Sequence, residues 1–125
     1  MSDVLFLASS GAVTADDLPP VPSGNELYLQ EVIYEDRQDG SRVARYRYVM
    51  PILRQGVEFY EVEADFQYLC ETRALRELKA SGEKVDQIIV SLADRETEFG
   101  EISPLVTQYF EAYTVEDGSC IWEGY

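Results

Sequence analysis

"LYLQEVIYEDRQDGSRVARYRYVMPI", residues 27–52, decides how the chain folds. Its two halves, 27–35 and 42–52, alternate apolar and polar residues on either side of Asp39-Gly40, and such a dipeptide between alternating stretches is the strongest short hairpin signal. With Asp39 and Gly40 as the two central residues, Ile33 faces Tyr46, Glu31 faces Tyr48 and Leu29 faces Met50. That face is mostly apolar and is expected to be core. The opposite face carries Tyr28, Val32 and Tyr34 beside Arg45, Arg47 and Val49.

In this register Tyr34 stands opposite Arg45, so that ring and guanidinium can stack, worth roughly 0.5–1 kcal/mol when exposed. Tyr28, Tyr34, Arg45 and Arg47 therefore make a candidate interaction patch, because Tyr and Arg concentrate interface energy. The plainer alternative is a self-satisfied sheet surface. Pro51 puts the second strand at an edge or frays it there.

Downstream, "VEADFQYLCETRALRELKASG" places Val62, Phe66, Leu69, Cys70 and Ala74 on one helical arc, from which Leu75 and Leu78 drift. A helix over 63–80, kinked near Thr72–Ala74 and stopped by Gly82, follows. "VDQIIVSLAD" reads as a central strand and "RETEFGEISP" as a loop. "VTQYFEAYTVEDGSCIWEGY" makes a second hairpin about Asp117-Gly118, with Val115 opposite Cys120 and Tyr113 opposite Trp122 on one face. Phe110, Ala112 and Ile121 occupy the other. The order strand, strand, helix, strand, strand, strand predicts an α+β domain: a mainly antiparallel sheet of about five strands with one helical segment on one face. Strand order does not follow from the pattern.

With 125 residues and 46% hydrophobic content, the chain is expected to fold as one domain over 25–125, behind a segment 1–24 outside the core. No stretch approaches the eighteen or so apolar residues of a membrane helix. Twenty-four acids, ten bases and no His give a net charge of −14. That field repels a polyanion, so nucleic acid is not an expected partner. Charge is uneven: residues 37–57 hold five Arg and a single acid, whereas 96–125 hold seven acids and no base.

Val4 to Ala15 carries no charge, and Val13-Thr14-Ala15 has the small-residue spacing of a signal-peptidase site, although Met1-Ser2-Asp3 lacks the usual positive start. This stretch is read as a signal relic, processed near Ala15–Asp16, with a disordered tail or a small edge strand as the alternative, and Pro19, Pro20, Pro22 and Gly24 as an extended linker. A periplasmic or secreted location follows. Cys70 sits on the helix's apolar arc, and Cys120 lies on the hairpin face of Tyr113, Val115 and Trp122. If the helix covers that face, the two sulfurs share a layer and an oxidising compartment bridges them. Two buried free thiols are the alternative.

Familiar catalytic constellations are missing. Without His there is no Ser-His or Cys-His nucleophile and no ordinary zinc site. The glycines form neither a phosphate loop nor a dinucleotide fingerprint. "EDRQDG" and "TVEDGS" brush against calcium-loop composition but lack its alternating acids and terminal Glu, and read as turns. Asp86, Asp94, Glu96, Glu98 and Glu111 are carboxylates that could do acid–base work, each better read as solvated surface. No cofactor or metal is expected.

"QIIVSLADRETEFG" and "YFEAYTVEDGSCIWEGY", with "LC" in the helix before them, resemble a family of short, uncharacterised bacterial proteins filed as a domain of unknown function. The resemblance spans about Ser23 to Tyr125 and implies export, since members typically begin with a signal peptide. Some members carry the label acetolactate synthase. That label implies a thiamine-diphosphate enzyme, and nothing in this chain supplies a diphosphate-metal motif. The family brings no catalytic residues. The expected function is a small exported domain that binds a protein or small molecule rather than catalysing. A carboxylate-only hydrolase or isomerase is the alternative, and an acidic inhibitor imitating nucleic acid is a third.

Overall fold

The computed structural model describes residues 20–124. Five strands form one open sheet in the order β1 (Tyr28–Asp36), β2 (Arg42–Val49), β3 (Gln87–Ala93), β4 (Gln108–Glu116) and β5 (Ser119–Trp122). β2 and β3 run parallel; every other neighbouring pair is antiparallel. Parallel neighbours need a crossover, and the helix supplies it. It comprises α1 (Phe59–Leu69), a π-helical turn (Cys70–Ala74) and α2 (Leu75–Ser81), together 23 continuous residues on one face of the sheet. The α+β class and the five mostly antiparallel strands are those expected.

Pro51 ends β2 without placing it at an edge. β2 lies inside the sheet, and Pro51 opens a short 3-10 turn (Pro51–Gln55) that leads to the helix. The helix starts at Phe59, four residues before the expected Glu63, because Glu58 and Glu61 form a capping box: the Glu58 backbone N–H donates to the Glu61 carboxylate at 2.9 Å. Gly82, left-handed at φ 75°, stops it as expected.

The drift of Leu75 and Leu78 from the apolar arc has a structural cause. The Leu75 N–H bonds the Cys70 carbonyl, five residues back, so the chain gains part of a turn at 70–74. That rephasing returns Leu75 and Leu78 to the sheet. The core packs Val62, Phe66, Leu69, Leu75 and Leu78 against Tyr46, Tyr48, Ile88, Val90, Leu92 and Tyr113. Cys70 and Cys120 meet in that layer as a disulfide, their α-carbons 6.3 Å apart.

The second hairpin has the expected register: Val115 pairs with Cys120 and Tyr113 with Trp122. The first is displaced by one residue. Val32, not Ile33, pairs with Tyr46, and Glu31 pairs with Arg47 instead of Tyr48. The Gly40 N–H donates to Arg37 O and the Arg37 N–H to Ser41 O, which closes a three-residue loop. A one-residue slip exchanges the faces of a strand. Val32 and Tyr34 thus join the helix-covered face, while Glu31 and Ile33 join the far face.

The segment before β1 is partly docked. Val21 is buried in the core, and Ser23 donates its N–H and its hydroxyl to the two oxygens of the fully buried Asp65 at 2.9 and 2.5 Å. The expectation that everything before residue 25 stays outside the core is corrected by this contact, because an otherwise unpaired buried carboxylate needs its donors. The proposed signal relic, 1–15, lies outside the described residues.

Candidate functional site

The far face of the sheet carries a small apolar cluster of Val43, Ile89 and Ala112. Beside it stand Arg45 and Arg47 on β2, Ser91 on β3 and Phe110 on β4, which alternation brings to one side. The loop 94–107 passes over these positions. Asp94 ties its ends: the Asp94 N–H donates to Thr107 O at 3.0 Å, and the Thr107 N–H returns to Asp94 Oδ2 at 3.3 Å. Arg95 adds two bonds to the Asp94 carboxylate and one to Leu105 O. The Arg95 guanidinium holds the Asp94 carboxyl below its usual range.

The middle of the loop is fastened to the first hairpin. Gln30, the extra residue of a bulge in β1, donates to Thr97 O at 2.8 Å. Arg47 donates to Thr97 O at 3.1 Å and to Thr97 Oγ1 at 3.0 Å, and pairs with Glu31 through its other nitrogen. Tyr28 donates its hydroxyl to Glu96 at 2.9 Å, a bond that raises the phenol's pKa. Phe99 lies over both guanidinium groups, its ring centre 5.1 Å from Arg45 and 5.6 Å from Arg47.

A cleft of about 370 Å³ remains between loop and sheet, lined among others by Arg45, Ile89, Ser91, Phe99, Ile102 and Phe110. Its rim is open to solvent and mixed: Ile102 is 95% and Phe110 63% exposed, and Glu98 and Glu101 stand beside them. Arg45 pairs with Glu35 at 3.1 Å through Nη2, but its Nε–H is buried with no acceptor. The cleft therefore sets the Arg45 guanidinium beside aromatic and aliphatic walls.

The structure divides the candidate patch. Tyr28, Arg45 and Arg47 share the far face, whereas Tyr34 lies on the helix-covered face opposite Ala44. Tyr34 meets Arg42, whose guanidinium sits 4.6 Å from its ring centre, and not Arg45. Arg47 is not an exposed anchor either: it is 5% exposed, beneath the loop. The slip of the first hairpin moved Tyr34, and the loop buried Arg47. Sequence reasoning missed Phe99, because a loop has no periodicity from which a side chain's direction can be read.

Of the carboxylates singled out from sequence, Asp86, Asp94 and Glu111 lie apart, whereas Glu96 and Glu98 line one hollow beside the loop with Glu31 and Glu101. Asp86 accepts from the Arg42 N–H at 2.8 Å, Asp94 closes the loop, Glu96 meets Tyr28, and Glu111 accepts from Trp122 Nε1 at 2.8 Å. Among the described residues no three His, Cys, Asp or Glu side chains are grouped to hold a metal ion. No helix among them is long and apolar enough to cross a membrane.

No curated protein and no solved structure matches this chain. It belongs to a family of unknown function (DUF6497), whose pattern matches residues 5–125.

Proposed function

We propose that this member of the family is an exported, non-catalytic binding domain. Its ligand enters the cleft beneath loop 94–107 and carries an acceptor oxygen on an apolar body. The Arg45 Nε–H, buried without an acceptor, carries this reading. An unpaired buried donor costs about 1–3 kcal/mol, which a ligand carboxylate or carbonyl would relieve. Ile89, Phe99 and Phe110 supply the apolar wall that such a site needs.

Binding is favoured over catalysis by carboxylates alone, since Asp86, Asp94, Glu96 and Glu111 each have a separate partner. A general acid needs a raised pKa, and the fold pushes Asp94 down. Export is supported by the Cys70–Cys120 bridge, of the kind that persists in oxidising compartments. The net charge of −14 favours a small molecule or a protein segment over nucleic acid.

Titrating ¹⁵N-labelled protein with phenylacetate and octanoate tests the site. Backbone shifts should centre on Arg45, Ile89, Phe99 and Phe110, and Arg45→Gln should weaken binding about tenfold, as expected when a charge-assisted bond is lost. Shifts elsewhere, or none, would overturn the assignment. Cell fractionation tests export separately: a chain retained in the cytoplasm with both thiols reduced would remove it.

A further inference from the structure

A second hollow, of about 250 Å³, lies on the opposite side of the sheet, between the flank of α1 and the β4–β5 hairpin. Glu63, Ala64 and Gln67 line it from the helix; Glu111, Tyr113 and Trp122 line it from the strands. The spacing explains the assembly. Glu63 and Gln67 are one helical turn apart, Glu111 and Tyr113 alternate onto the helix-covered face of β4, and Trp122 pairs with Tyr113.

Tyr113 is 2% exposed and lines this hollow, yet its hydroxyl makes no hydrogen bond with any described residue. A buried tyrosine ordinarily finds a partner for that group. Of the neighbouring donors, Trp122 Nε1–H is used on Glu111 Oε1 at 2.8 Å, and Gln67 Nε2 gives one of its two hydrogens to Cys120 O at 2.9 Å. Acceptors outnumber the one hydrogen left on Gln67: the Glu63 carboxylate, Glu111 Oε2 and the Tyr113 oxygen. Neither Glu63 nor Glu111 has an ion-pair partner among the described residues. Trp122, 53% exposed, adds an open aromatic surface. The field at the phenol is negative: burial first, then Glu111, Glu63 and Glu71, pushes the Tyr113 pKa up.

We propose that this hollow binds a guanidinium group. A planar cation stacks on the indole and divides its N–H donors among several oxygen acceptors, which a compact ammonium does less well. The two carboxylates supply the charge, and the Tyr113 oxygen, which makes no hydrogen bond with a described residue, supplies a further acceptor. The same chemistry has two sources, a free arginine-like molecule or an arginine side chain on a protein partner.

Trp122 is the chain's single tryptophan, so its emission reads the site directly, and its indole N–H resonance reads the same titration by NMR. The full chain is titrated with arginine amide, with a short arginine-containing peptide whose own termini are blocked, and with citrulline amide as the shape control in which a neutral urea replaces the guanidinium, all at matched ionic strength. A saturable response to arginine amide or to the peptide is expected, with none to citrulline amide. Response to the peptide alone assigns the group to a protein partner; response to arginine amide assigns it to a free molecule. Glu63→Gln, at an exposed helix position, should raise Kd about tenfold while leaving the urea midpoint unchanged. No saturable response to either cation, an equal response to citrulline amide, or an unchanged Kd in Glu63→Gln would overturn the proposal.

Discussion

Asp39-Gly40-Ser41 and Asp117-Gly118-Ser119 are the same tripeptide at two hairpin turns, and they turn the chain differently. At the second site both central residues have positive φ, 50° for Asp117 and 76° for Gly118, and Glu116 pairs directly with Ser119. At the first, only Gly40 is left-handed, at 89°, and three residues form the loop. Asp117 is the one non-glycine residue with positive φ among those described, so Asp39 does not enter the mirror-image turn. Identical local chemistry permits both loops, and the strands beyond choose between them.

For the first hairpin that choice is electrostatic. A two-residue loop would set Glu31 against Tyr48 and Glu35 against Ala44, both on the face the helix covers, where a carboxylate without a partner is expensive. The longer loop sends both acids to the far face. There Glu31 meets Arg47 and Glu35 meets Arg45. For the second hairpin the choice is apolar and covalent, because Tyr113, Val115 and Cys120 must all face the helix and Cys120 is bonded to Cys70.

Replacing both cysteines by alanine should therefore have the largest effect, and it should fall on the second hairpin. Closing a loop across 50 residues contributes about 4 kcal/mol in the chain-entropy model. Urea unfolding is expected to show a loss of that order, with faster amide exchange across Ser119–Trp122 than across β1. A loss below about 1 kcal/mol would mean that side-chain packing alone sets this register.

The first hairpin should respond to charge instead. A double-mutant cycle of Glu31→Gln and Arg47→Gln is expected to give a coupling of about 1–2 kcal/mol, typical of a charge-assisted pair with one buried member. Cys70/Cys120 substitution should leave that coupling unchanged. A coupling near zero would shift the cause of the slip to the Phe99 and Thr97 contacts above Arg47.

Much of this was legible in the sequence, and the failures share a physical origin. The shared layer of Cys70 and Cys120 and the disturbance at 72–74 come from periodicity, which the chain displays directly, and the Val115–Cys120 pairing comes from the Asp117-Gly118 turn. Tyr34 was misplaced because a dipeptide was allowed to set the register, whereas Glu31 and Glu35, spaced to meet Arg47 and Arg45, carried the better signal. The cleft could not be assembled, since Phe99 reaches Arg45 and Arg47 from a loop without period. In the second hollow, Tyr113 and Trp122 were correctly paired, but Glu63 joins them only through tertiary docking of the helix.

The smallest effect separates the two identical tripeptides by pH. Asp39 Oδ1 accepts the Ser41 N–H at 2.9 Å and the Ser41 hydroxyl at 2.6 Å, and these bonds, the hydroxyl's foremost, lower the Asp39 pKa. A carboxyl whose folded pKa is depressed stabilises the fold above its unfolded value, here 3.8, and that contribution is lost as pH falls through the folded pKa. Acidification from pH 5 towards 2 should therefore loosen the first loop. The Ser41 amide proton should lose its protection and shift along a titration curve whose midpoint lies below 3.8, and Asp39→Asn should abolish that curve. A Ser41 amide that titrates at or above 3.8, or titrates unchanged in Asp39→Asn, would show that the carboxylate does not hold the three-residue loop. The register would then rest on the Glu–Arg pairs alone.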